Sequence, residues 1–237
     1  MSNKLVKRLF FVSMVLLVSA CISIPKPQPD LTNPIRTVVI LPFSNMSNNV
    51  DAPNSIRKVM STQLKAKFYK VESLDEVDRI LADKLGITLG EQLAEVDFKD
   101  IKAAIPADGY IFGHITHYDQ TTMGILNTNR VRTEMKLVQA SSDGEFWSSA
   151  IGIKSESKAG GLAGSFASLA SSVSDANDDT QWITIERKTG GDGSFMGNLI
   201  SGLVEKAVAS ATNTTLTEET LAMVRHSTQT LRNGPGF

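Results

Sequence analysis

The central part of this chain predicts an α/β fold (α+β), a mixed sheet with helices packed on it, and three observations predict it. Thr37-Val-Val-Ile-Leu-Pro42 is a short, continuous β-branched run of the kind buried on both faces of a sheet. Two amphipathic helical stripes follow it, between residues 54 and 85. From Asp108 onward the pattern turns to three successive strands. A βαβ opening that runs into an antiparallel meander yields a helix-backed mixed sheet.

The elements follow in order. Phe43 to Pro53 is polar and rich in Asn and Ser, which reads as a loop. Ile56, Val59, Met60 and Leu64 form one stripe and predict a helix over 54–67. Phe68 to Val71 is a second short strand. Ser73-Leu-Asp-Glu76 matches a capping box, with Ser73 accepting from the backbone and Glu76 reaching back. The helix it opens carries Leu74, Val77, Ile80 and Leu81 and stops at Gly86. Asp97 is the expected N-cap of a third helix reaching Ala104.

Strands are then expected over 110–118, 130–139 and 145–156, with Ser142-Asp-Gly144 as the turn before the last. Val131, Thr133, Met135 and Leu137 alternate with Arg130, Arg132, Glu134 and Lys136, so one face should be buried and one wet. No pair of long alternating hairpins suited to a transmembrane barrel is legible.

The C-terminal third differs in composition. Residues 158–180 form a Gly/Ala/Ser-rich insertion in which Leu162, Phe166, Leu169 and Val173 make a thin helical stripe. It reads either as a close-packed oligomer or membrane-surface helix, or as a flexible insertion. Gln181 to Lys188 is strand-like. A helix over 195–211 and a last helix from Thr217 carrying Leu221, Val224 and Leu231 complete residues 181–237. Both should pack on the sheet, the alternative being that they bind a partner.

Catalytic and metal chemistry is not legible. His114 and His117 are three apart in an expected strand, which places them on opposite faces and argues against a shared metal. His226 is isolated. The glycine clusters at 160–164 and 190–193 lack the lysine of a P-loop and the Rossmann spacing. No serine sits in a G-x-S-x-G elbow. The expectation is therefore no enzyme, no cofactor, no metal and no small-molecule substrate.

The start of the chain carries the most specific signal. Three basic residues precede the apolar run Leu9 to Val18, then Ser19, Ala20 and Cys21, the single cysteine among 237 residues. A basic start, a short apolar run and small residues at a cleavage point describe a signal peptide over 1–20. This ten-residue run covers about 15 Å, half of a hydrocarbon core of roughly 30 Å, which disfavours a retained span. Removing residues 1–20 takes away three of 24 basic residues and none of the 25 acidic ones, so the formal charge falls from −1 to −4. A mildly acidic domain without a basic cluster argues against nucleic acid as a partner.

Val18-Ser19-Ala20-Cys21 resembles the lipobox of bacterial lipoproteins, in which the thiol accepts diacylglycerol before cleavage. By that resemblance cleavage falls between Ala20 and Cys21, and Cys21 is the lipidation site. Prolines 25, 27, 29 and 34 make residues 21–34 a stiff spacer between an anchor and a domain spanning 35–157. Ile22 stands where an aspartate would resemble an inner-membrane retention signal, so the resemblance implies an outer-membrane anchor facing the periplasm, with surface exposure left open.

Asn33-Pro-Ile-Arg-Thr-Val-Val-Ile-Leu-Pro-Phe43, Asn45, Ala52-Pro53, Ala107-Asp-Gly-Tyr-Ile-Phe112 and Lys136-Leu-Val-Gln-Ala140 with Asp143-Gly-Glu-Phe-Trp147 together resemble a family of bacterial lipoproteins of unknown function. That family includes a meningococcal surface antigen. It is distantly similar to the curli secretion lipoprotein CsgG, the N-terminal domain of TolB and the synthase activator LpoB. The resemblance implies a TolB-like α/β domain and brings no catalytic residues.

Three functions stand as expectations. The first is a non-enzymatic, membrane-anchored accessory or scaffold in an envelope assembly, with a CsgG-like protein as partner and a homo-oligomer possible in principle. The second is an LpoB-like activator of a peptidoglycan synthase. The third is an unrecognised hydrolase.

Overall fold

The computed structural model describes residues 27–123, 126–158, 182–188 and 216–236. The expected signal peptide over 1–20, with Ala20, the expected lipidation site Cys21, the 159–180 part of the insertion and the expected helix over 195–211 lie outside them.

The elements are β1 (Thr37–Ile40), β2 (Ser44–Asn45), α1 (Ala52–Ala66), β3 (Lys70–Val71), α2 (Leu74–Leu85), a 3-10 helix (Gly90–Glu95) and α3 (Phe98–Ala104). Then come β4 (Gly109–Met123), β5 (Leu126–Gln139), β6 (Glu145–Lys158), β7 (Trp182–Lys188) and α4 (Thr217–Ser227). They form one seven-stranded sheet in the order β3-β1-β4-β5-β6-β7, with β2 also paired to β4. β1 pairs in parallel with β3 and β4, and β6 with β7, while β4-β5-β6 is an antiparallel meander. The expected mixed α/β architecture is what the chain adopts.

Each face of the sheet has its own core. On the inner face α1 and α4 bury Ile56, Met60, Leu64, Met223 and Val224 against Ile111, Val131 and Ile153. On the outer face α2 and α3 bury Val77, Leu81 and Ile101 against Val39, Leu41 and Tyr110. β1 is apolar and buried from Val38 to Ile40 because it is sandwiched between both. Full burial of each such side chain contributes about 1.5–3 kcal/mol.

Several local expectations are corrected. The loop over 43–53 contains β2, which pairs Ser44 with His114 and Asn45 with Ile115. It occupies the lane that β1 leaves, the break falling at Pro42, which has no N–H to donate. Ser73 makes no side-chain cap bond, so the capping box does not form. Glu76 turns outward and pairs with Arg79 at 2.6 Å, which holds its carboxyl below the usual range. Asp97 does cap α3, accepting from Lys99 N at 2.9 Å. Leu231 lies beyond the end of α4, yet stays buried.

The largest difference is strand length. β4 and β5 are 15 and 14 residues long and pair from Gly109–Gln139 out to Met123–Leu126, so a long hairpin is present where residues 119–129 read as a connection. Alternation fails there for a physical reason. The inner face at that level is polar, with Asn129 and Ser155 both donating to the buried Glu219 carboxylate of α4. A strand packed on a polar helix end carries no apolar period to read.

Residues 182–188 and 216–236 add an edge strand and a core helix to the same sheet as residues 35–157. Trp182 of β7 lies over Gly152 of β6, where an added Cβ would come within 2.6 Å of the ring. Among the described residues no helix is long and apolar enough to cross a membrane.

Candidate functional site

Two features stand out: a latch that joins the two ends of the described chain, and a groove on the outer face.

The latch begins with a turn. Asp30 Oδ1 accepts from Thr32 N at 3.0 Å and Thr32 Oγ1 at 2.6 Å, and Asn33 N donates to Asp30 O at 3.0 Å. Arg232 then donates twice to Asp30 Oδ2, at 2.9 and 2.6 Å. Main chain adds Asp30 N to Gly234 O at 2.9 Å, and Asn233 Nδ2 reaches Gln28 O at 2.7 Å. Thr32 and Arg232 hold the Asp30 carboxyl below its ordinary range.

Beneath this surface layer lies a buried one. Asn33 Nδ2 donates to Tyr69 OH and to Asn233 O, both at 2.9 Å, and Tyr69 OH donates to Arg232 O at 2.8 Å. Lys67 Nζ donates to Leu231 O at 2.7 Å, and burial pulls its pKa down. Gly234 passes so close to Phe68 that a Cβ would stand 2.5 Å from the Phe68 carbonyl oxygen, which explains a glycine there.

Burial pushes the Tyr69 hydroxyl up to about 12 from 10.0. The unfolded chain therefore loses this proton first, so the stabilisation is complete below pH 10 and is lost as pH rises towards about 12. Urea unfolding between pH 9 and 12 should show a declining stability that Tyr69→Phe flattens, since phenylalanine has no proton to lose. An equal decline in both proteins would remove Tyr69 as its source.

Composition alone placed residues 21–34 in the spacer. In the structure residues 28, 30, 32 and 33 are bonded to the domain, so only seven Cα–Cα links separate Cys21 from Gln28. Their fully extended reach is at most about 25 Å.

The groove has a volume of about 780 Å³ and lies between the 3-10 helix and the strands β4, β5 and β6. Leu93, Ala94 and Phe112 give it apolar surface, and Glu91, Glu134, Glu145 and Lys136 give it charge. Its wall is held close to the sheet: a Cβ on Gly90 would stand 2.2 Å from the Phe43 carbonyl carbon. Glu91 Oε1 also accepts from Asn45 N at 2.7 Å. Lys136 lies over the Phe112 ring at 5.4 Å.

His114 lines this groove, its Nδ1 2.7 Å from Ser44 Oγ. The expected opposition of His114 and His117 is overturned. A bulge at Thr116 skips one residue, so Ile115 pairs with Thr133 and His117 with Arg132. Directly opposed residues share a face, which puts both histidines on the outer one. They still have separate neighbours, since His117 packs edge-on against Trp182 with centroids 5.3 Å apart. Among the described residues no group of three or more His, Cys, Asp or Glu is placed to hold a metal. The Ser44–His114 contact joins β2 to β4, and a two-residue strand needs such a tie.

These features define the class: a helix-backed mixed sheet, clasped at its ends, with a groove on its outer face. The chain belongs to the family described as "Putative lipoprotein GNA1162-like", whose sequence profile matches residues 31–189. A lipoprotein family implies a membrane-anchored protein of the cell envelope. Among curated proteins none matches the chain. Of solved structures, the lipoprotein GNA1162 from Neisseria meningitidis is similar at 18% identity and TM-score 0.48, covering 60% of this chain and 96% of that one. The PelC dodecamer from Paraburkholderia phytofirmans is similar at 13% identity and TM-score 0.35, covering 57% and 83%. The LpoB C-terminal domain from Salmonella enterica is similar at 14% identity and TM-score 0.32, covering 52% and 85%.

Proposed function

We propose that residues 1–20 are a leader cleaved between Ala20 and Cys21, that Cys21 is acylated, and that the anchored domain is a non-enzymatic accessory of an outer-membrane assembly on the periplasmic side. The observation that carries this reading is the lipobox-like cysteine standing seven residues before the first residue the fold holds. An acyl anchor so close to a clasped domain confines it to a thin layer beside the bilayer, which raises its effective concentration for a neighbour. The resemblance to CsgG makes a CsgG-like secretion or surface complex the setting, and the outer groove is the surface offered to it.

The LpoB-like alternative requires reach towards a synthase at the inner membrane. The latch works against it, because it takes residues 28 and 30–33 out of the spacer and leaves about 25 Å of chain.

A photo-reactive residue at Glu134 or Ser148, both in the groove, tests the accessory reading in intact cells. The expected product is one adduct heavier than the 25.6 kDa chain, containing an envelope protein and lost in the Cys21→Ala background. No adduct from either position, or the same adduct from unanchored protein, overturns it.

A further inference from the structure

We propose that the latch end of the domain rests on the bilayer that holds its anchor, with Leu31 entering the boundary between headgroups and acyl chains. The proposal rests on the reading that Cys21 is acylated, and adds to it which surface of the domain meets the lipid.

Leu31 is 82% exposed, one of four large hydrophobic side chains in the described residues that face water. A single exposed leucine is ordinary on a protein surface, so its setting decides the matter. It sits inside the Asp30–Asn33 turn, whose ends are held by Asp30 O with Asn33 N and whose flanks are held by Thr32 and Arg232. The side chain is thus presented by a backbone already ordered. Contact with a surface would not have to immobilise a loop first.

The length of chain before the turn identifies the occupant. Cys21 lies at the lipid surface in the acylated protein, and Gln28 is bonded to Asn233 on the domain. The chain between them spans at most about 25 Å. Leu31 follows three residues later. The other exposed apolar side chains, Met46, Val50 and Leu89, lie past the far end of α1 or beside the 3-10 helix. From Ala66 to Ala52 that helix alone covers about 22 Å. Of the four, Leu31 is thus the one held nearest the anchor, ten links from Cys21, while Met46 and Val50 sit a further helix length away. The boundary that an amphipathic surface helix enters with its apolar face lies some 5–10 Å deep, and Leu31 is presented towards its outer edge.

The single thiol makes the test direct, because acylation consumes it. Leu31→Cys and Val50→Cys, each labelled with a nitrobenzoxadiazole maleimide, are reconstituted as acylated full-length proteins into phosphatidylethanolamine–phosphatidylglycerol vesicles. Lipids brominated near the top of the acyl chains serve as quencher. Flotation and the mass of the amino terminus are read on the same samples. The expected result is blue-shifted emission at position 31 that bromolipid lowers by roughly two-fold or more, as for a probe 5–10 Å into the interface. Position 50 should stay water-like and unquenched. Flotation with an acylated amino terminus but no quenching at 31 overturns this proposal and leaves the anchor standing. Shielding at 31 without lipid quenching also overturns it, in favour of a protein contact. A bare amino terminus and no flotation overturn both.

Discussion

Cys21→Ala is expected to abolish the acylated amino terminus and to move the protein out of the outer-membrane fraction. Each buried methylene contributes about 0.8 kcal/mol, and one acyl chain holds a protein only marginally. Two or three chains on one residue make a stable anchor where one does not, so loss of the acceptor should act as a switch and not as a graded weakening. The readouts are intact mass of the purified protein and distribution across separated membranes. Wild type should show a leaderless, acylated Cys21, and the variant no acyl mass. Wild-type protein with a bare Cys21, or with the leader still attached, would end the anchor reading.

The second large effect concerns folding and is asymmetric. Arg57 of α1 is 2% exposed and donates to both carboxylate oxygens of Asp78 on α2, at 2.9 and 2.7 Å, and to Ile40 O of β1 at 3.0 Å. One side chain thereby ties together helices from opposite faces of the sheet. Asp78 is 43% exposed, so the partners differ in what each does when left alone. Asp78→Ala strands a buried guanidinium and should cost about 3 kcal/mol. Arg57→Met removes the buried charge, fills much of its volume and leaves a carboxylate that water can solvate. Its main loss is the bond to Ile40 O, about 1 kcal/mol. Urea midpoints of the two variants measure the difference. Equal losses would show that Arg57 is not desolvated as the geometry requires.

The latch explains why part of the site escaped the sequence. Asp30 and Arg232 are 202 positions apart, and neither has a local pattern that names the other. Asp30-Leu-Thr-Asn33 is visible as a turn, but only the arrival of the C-terminal segment turns it into a clasp. The histidines show the same limit at short range. A period of two places residues 114 and 117 on opposite faces, and one extra residue at Thr116 reverses that. Nothing in the flanking composition marks the bulge. The long hairpin was hidden for a third reason: the helix end above it is polar, so what it buries there is Asn129, beside Ser155 of β6, and not an apolar stripe.

What the sequence determined by itself is everything that depends on near neighbours along the chain. It carried the three central helices and the meander strands, the β1 run, the stripes of α1 and α2, the Asp97 cap, and the basic-apolar-small start that ends in Cys21. Periodicity, capping and leader recognition act over a few residues, so they can be read there. Only the tertiary structure decided the lane that β2 shares with β1, the face on which His117 stands, the groove and the clasp at the ends. Those depend on register and on bonds between distant residues, which are set by the packing of the whole sheet and are written in no single stretch of it.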